Sequence, residues 1–165
     1  MKKEMLFNAF KKGMQGEMDS VMHYQKAVEN SDGEVQKFFM ERVEEEKMHY
    51  NYLLRYFQEL SKSDNLFDLS AELAKHEYHS NLISNDFVKR IGQKQILFSA
   101  VSTALLLEKN GIDFYKKSAQ ETEYPEVKKF FEELARWEEM HYNDLLKIQK
   151  EAEEFYWEIN SFEPF

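Results

Sequence analysis

FFEELARWEEMHYNDLL, residues 130 to 146, reads as an amphipathic helix whose apolar stripe, marked by Leu134 and Leu145, also carries Glu138 and His141. Residues three and four apart share one face of a helix, so this segment aims a carboxylate and an imidazole at its own core. Burying an unpaired carboxylate is costly enough that such a group normally neutralises, finds a partner or binds a metal. The stretch is also written twice. FFMERVEEEKMHYNYLL (38 to 54) overlays it, placing Glu46 on Glu138, His49 on His141 and Tyr50 on Tyr142. Sliding the first half of the chain onto the second also puts Glu17 on Glu108, Tyr24 on Tyr115 and Lys26 on Lys117. Each half therefore reads Glu-x6-Tyr and then Glu-x-x-His.

Two prolines, five glycines and abundant Glu, Lys, Leu, Met and Ala favour helix. The spacing predicts four long helices, at about 4–30, 34–60, 94–121 and from Pro125 to about 155. NSDGE, with Asn30, Asp32 and Gly33, supplies the first turn, and Pro125 suits the first turn of the last helix. Short loops make each consecutive pair antiparallel. The longer stretch between the second and third helices is expected to hold a helix near 69–90. It is long enough to cross the bundle and set the middle two helices parallel, the one-crossover topology of ferritin-like four-helix bundles. The expected fold is all-α, with residues 1–165 as one ferritin-like domain.

Glu17 falls on the stripe between Met14 and Val21, and Glu108 on that between Leu105 and Ile112. All four helices thus bring a carboxylate inward, giving Glu17, Glu46, Glu108 and Glu138 together with His49 and His141. Four ionised carboxylates carry a charge that two divalent cations neutralise; without cations they could not all stay ionised in a low dielectric. The absence of cysteine leaves nitrogen and oxygen as ligands, and imidazole with carboxylate suits iron, manganese or zinc. It also excludes disulfides and iron–sulfur clusters from these residues. A formal net charge of −9 argues against nucleic acid or an anionic membrane as partner. No apolar run approaches the ~20 residues a membrane span needs. The opening MKKEMLFNAFKKGMQGEMD is too polar for a secretory signal, so a cytoplasmic location is expected.

The repeated Glu-x-x-His, the matched glutamates and the crossover together resemble the rubrerythrin branch of the ferritin-like di-iron carboxylate superfamily, along nearly the whole chain. The resemblance implies two iron ions, with manganese or zinc as substitutes. It makes Glu17, Glu108, His49 and His141 terminal ligands, and Glu46 and Glu138 the bridging carboxylates that adjust as the reaction proceeds. It implies an oxidoreductase that reduces peroxide or O2 as Fe(II) is oxidised, working as a homodimer or small homo-oligomer. A separate electron-donor protein is expected, because the cysteine-free chain has no rubredoxin-type segment. The alternative is an iron-binding or ferroxidase protein for iron handling or storage. Gly111 departs from the pattern: it stands three residues after Glu108, where rubrerythrins typically carry a second glutamate.

Other residues read less sharply. Tyr24 and Tyr115 are either core aromatics or hydrogen-bond donors to a ligand carboxylate. Glu44, Glu45 and Glu139 read as solvated, His76 and His79 as surface, His23 as packed or surface, and the methionines as flexible core filling. Arg42 overlays Leu134 on the ligand face, where it either pairs with a carboxylate or snorkels outward. The aromatic tail EEFYWEINSFEPF is expected to pack on a partner subunit or to cap its own bundle.

Overall fold

The computed structural model describes residues 2–64, 66–78 and 83–160, and their regular structure is helical throughout. Six helices follow in order: α1 (Lys3–Glu29), α2 (Gly33–Lys62), α3 (Ser70–Ala74), α4 (Asn85–Gln93), α5 (Gln95–Glu121) and α6 (Pro125–Asn160). The four long ones lie where the apolar spacing puts them, α6 running past the expected end. Gly33 opens α2 at φ +55, a left-handed conformation that a side chain would strain.

Ring contacts and hydrogen bonds fix the helix directions. Phe10 stacks on Tyr56 while Tyr24 meets Phe39, so α1 and α2 are antiparallel. Tyr115 meets Phe131 and Phe98 stacks on Tyr156, so α5 and α6 are too. Tyr56 against Phe130 and Arg42 beside Asp144 make α2 and α6 antiparallel, and Tyr24 with Glu108 and Tyr115 with Glu17 do the same for α1 and α5. It follows that α2 and α5 run parallel across the diagonal of a ferritin-like bundle, as a single crossover requires.

The crossover differs from the expected helix at 69–90. It forms α3 and α4 instead, with residues 75–84 between them. Ser84 accepts a hydrogen bond from the Phe87 backbone N–H and so starts α4 afresh, while Phe87, Val88 and Ile91 face the core. Gly92 lets α4 press onto α6: a Cβ there would stand 2.6 Å from the Ala152 carbonyl oxygen. His79 lies outside the described residues, as do the last five residues of the aromatic tail.

Two apolar clusters fill the bundle. One holds Leu6, Phe10, Leu53, Tyr56, Phe130, Phe131 and Trp137, and the other Val21, Phe39, Val101, Leu105, Leu145 and Ile148. Between them sits a polar layer. The expectation that the methionines fill the core is corrected for Met22 and Met40, which are 64% and 52% exposed because they lie on the outer faces of α1 and α2. Among the described residues, no helix is long and apolar enough to cross a membrane.

Candidate metal centre

Each long helix contributes to the layer at mid-length: Glu17 from α1, Glu46 and His49 from α2, Glu108 from α5, Glu138 and His141 from α6. All six are buried. Their placement follows from the register of the apolar stripes, which continue above and below each ligand-type residue.

The geometry separates two roles. His49 Nδ1 lies 3.1 Å from Glu138, 3.4 Å from Glu46 and 3.5 Å from Glu17. His141 Nδ1 lies 2.9 Å from Glu46, 3.5 Å from Glu108 and 3.7 Å from Glu138. Glu46 and Glu138 each turn one oxygen to each imidazole, whereas Glu17 serves the His49 side alone and Glu108 the His141 side alone. Two donor groups result, Glu17–Glu46–His49–Glu138 and Glu46–Glu108–Glu138–His141, each with one atom per residue inside a 4.8 Å span. They share Glu46 and Glu138.

Two tyrosines hold the outer carboxylates crosswise. Tyr24 on α1 donates to Glu108 Oε1 on α5, and Tyr115 on α5 donates to Glu17 Oε1 on α1. In both cases the other oxygen is left facing an imidazole.

Electrostatics divide the carboxylates the same way. Burial, with Glu138 and Glu46 alongside, pushes both Glu17 and Glu108 well above the usual carboxylate range. Burial works upward on Glu46 too, but His141 beside it holds it well below. Glu138, despite burial and the neighbouring Glu46, is held at about 2 by Glu108 and the two imidazoles. Burial disfavours charge on His49 and His141, yet Glu17 beside the first, and Glu108 and Glu46 beside the second, raise both well above the ordinary imidazole value.

The donor set has a further property. Both oxygens of Glu46, Glu108 Oε2, Glu138 Oε1 and the Nδ1 atoms of His49 and His141 are buried without an aligned hydrogen-bond partner. Buried polar atoms are normally satisfied, and six orphans converging on one layer are what a cation site presents. The residues present fit a pair of divalent metals in number, chemistry and charge.

The two imidazoles differ in what stands behind them. His141 Nε2 donates to Glu45 Oε2 at 2.6 Å. Glu45 is therefore not solvated as its sequence neighbours suggested; it is 5% exposed, because the α2 face that carries Glu46 wraps far enough to bring Glu45 onto α6. Arg42 is fully buried and pairs with a carboxylate, Glu45, at 3.4 Å. It also donates to the Tyr78 hydroxyl, which donates to Asp144, and its guanidinium lies over the Phe38 and Tyr78 rings. Behind His49 stands Trp137 instead, edge-on at 5.3 Å. Glu45 and Trp137 occupy equivalent slots of the repeat, as do Arg42 and Leu134. The signal for this network was in the sequence: two departures from the repeat, three residues apart on one helix.

The remaining candidates fall away from the layer. Glu44 is exposed, Glu139 pairs with Lys116 on the surface, His76 is exposed beside the Tyr52 hydroxyl, and His23 Nε2 sits 2.8 Å from the Ala100 carbonyl oxygen.

An up-down-down-up bundle with two Glu-x-x-His helices and a glutamate on each partner helix defines a protein of the ferritin-like class. The chain belongs within it to the rubrerythrin family, whose model matches residues 8–149. Comparison with curated proteins and with solved structures gives no match.

Proposed function

We propose that the chain is a di-iron oxidoreductase that reduces peroxide or O2 as Fe(II) is oxidised. The observation that carries this reading is the buried carboxylate–imidazole layer, whose two donor groups share Glu46 and Glu138 and contain the six orphaned polar atoms. In this reading Glu17 and His49 would hold one metal and Glu108 and His141 the other, with Glu46 and Glu138 available to both. A bound pair of iron ions supplies two electrons at one place, the number a peroxide needs.

The chain's own residues do the rest. Tyr24 and Tyr115 orient the outer carboxylates through hydroxyl hydrogen bonds, which leaves one oxygen of each free to ligate. Glu45 accepts a hydrogen bond from the His141 Nε2–H, fixing the tautomer whose Nδ1 lone pair faces the layer. The two apolar clusters exclude bulk water from above and below, which strengthens every charge interaction between them. Manganese shares this ligand chemistry and is an outcome of the test.

Anaerobic titration of the metal-free chain with Fe(II), followed by rapid mixing with H2O2 or with O2, tests the proposal. Two irons per chain and faster oxidation by peroxide are expected. Faster oxidation by O2 would favour ferroxidase chemistry, and no tight binding would defeat the metal-site reading.

A further inference from the structure

A cleft of about 220 Å³ runs between α1 and α5, on the side of the polar layer opposite the crossover. Glu17 and Glu138 lie among its lining residues, together with Gly13, Gly16, Gly111 and Phe114. Three of the chain's five glycines thus line one cleft, each inside a long helix, where glycine is destabilising by about 1 kcal/mol relative to alanine. Packing accounts for Gly13, since a Cβ there would stand 3.1 Å from Leu53. It does not account for the other two. A Cβ at Gly16 would meet nothing within 4 Å, and one at Gly111 would lie 3.5 Å from Glu138 Cγ, an ordinary contact. A side chain at Gly111 would take up space beside Glu138, and one at Gly16, which is exposed, would stand at the mouth of the cleft. That carboxylate is 3% exposed, and its Oε1 has no aligned hydrogen-bond partner.

We infer that this cleft is the path by which a small uncharged oxidant, dioxygen or a hydroperoxide, reaches the carboxylate–imidazole layer, and that Gly16 and Gly111 are bare to keep it open. The inference rests on the oxidoreductase reading of the site. The lining does not select for charge: Lys12 and Asp19 border the cleft with opposite signs, and the carboxylates beneath them disfavour an anion. The cleft, at about 220 Å³, has room for either molecule. A hydroperoxide with a short alkyl group fits as well as H2O2 does. On the opposite side a cleft of about 420 Å³ between α2 and the crossover ends on Glu45 and Trp137, which stand between it and the imidazoles, and Tyr78 lies against both Trp137 and His141.

Two measurements on the full chain test the path, one of them without metal. Under oxygen pressure, paramagnetic broadening of NMR signals in the metal-free chain should be strongest at Gly16, Gly111 and the Tyr115 ring and weak at the Trp137 indole. Gly16→Leu and Gly111→Leu should suppress it, while Met22→Leu, on the exposed face of α1, should not. In the Fe(II)-loaded chain, the two cleft variants should retain both irons but bind nitric oxide several-fold more slowly, followed by absorbance. Equal broadening at Trp137 and in the cleft of the unsubstituted chain would overturn the inference, as would unchanged nitric oxide rates in both leucine variants. Cleft-localised broadening in a chain that binds no iron would support the path and defeat the oxidoreductase reading alone.

Discussion

On the α2–α6 side of the polar layer, Arg42, Glu45, Tyr78 and Asp144 form a buried network pressed against His141 and covered by the crossover. On the α1–α5 side, two tyrosine hydroxyls reach across to the outer glutamates and bare glycines leave a cleft above Glu138. Both sides descend from one repeated sequence pattern, and each half supplies one helix to each side. The difference arises where the halves diverge or where one connection is long. Glu45 and Arg42 have no counterparts at Trp137 and Leu134, and only the α2-to-α5 connection crosses a side of the bundle. A symmetric set of carboxylates and imidazoles thus has one side closed off by a network that orients an imidazole and one side whose cleft reaches Glu138.

The comparison can be broken most severely at Arg42. Arg42→Ala removes the cation from a buried pair, a change that typically costs about 3–5 kcal/mol, and should lower the melting temperature by about 10 °C. Circular-dichroism melts would show it, and an unchanged melting temperature would mean that the closed side is held by packing alone. Proton linkage gives the next effect. In the metal-free chain His49, His141, Glu17 and Glu108 all hold protons more tightly than in the unfolded chain. The folded state therefore carries extra protons, and stability should fall as pH rises, from about 4.5 for the two carboxyls and from about 6.5 for the imidazoles, by about 1.4 kcal/mol per pH unit for each proton still held. Glu46 and Glu138, held low, act in the opposite sense, removing stability only below the ordinary carboxylate range. Divalent metal must displace the extra protons, so its affinity should rise with pH. Melting scans across that range, with and without two equivalents of Zn(II), check both signs; a metal-free melting temperature that climbs with pH would contradict the assignment.

Glu45→Gln sharpens the comparison without dismantling it. Removing a carboxylate that orients a ligand imidazole usually weakens metal binding by about 10- to 100-fold. Only one of the two metals should be affected, so a Co(II) titration should separate into a tight and a weak phase. The smallest effect is on the open side. Gly16→Ala should raise the melting temperature by about 2–4 °C, the gain from replacing a mid-helix glycine by alanine where no neighbour crowds the methyl group.

Much of this architecture is legible in one dimension because helices impose a local rule. Periodicity places four long helices, and the doubled Glu-x-x-His with its matched glutamates selects the six residues that meet in the layer, since apolar residues on both sides of each leave no other face to bury. The offset between the halves also points to the two tyrosines. Local rules cannot say which helix a tyrosine reaches, and both hydroxyls cross to the opposite helix rather than serving their own. They equally misplace Glu45, which looks like one more member of a solvated acidic run until α6 packs beside it. The crossover fails for a related reason: its apolar residues serve two separate docking contacts, and a capping serine divides them.

By itself the sequence determined the helical bundle, its pseudo-repeat and the identity of the inward-facing carboxylates and imidazoles, because each depends on spacing along a single helix. Only the tertiary structure decided which carboxylates reach both imidazoles, what stands behind each histidine and which side of the layer stays open, because each depends on how separate helices are brought together across the bundle.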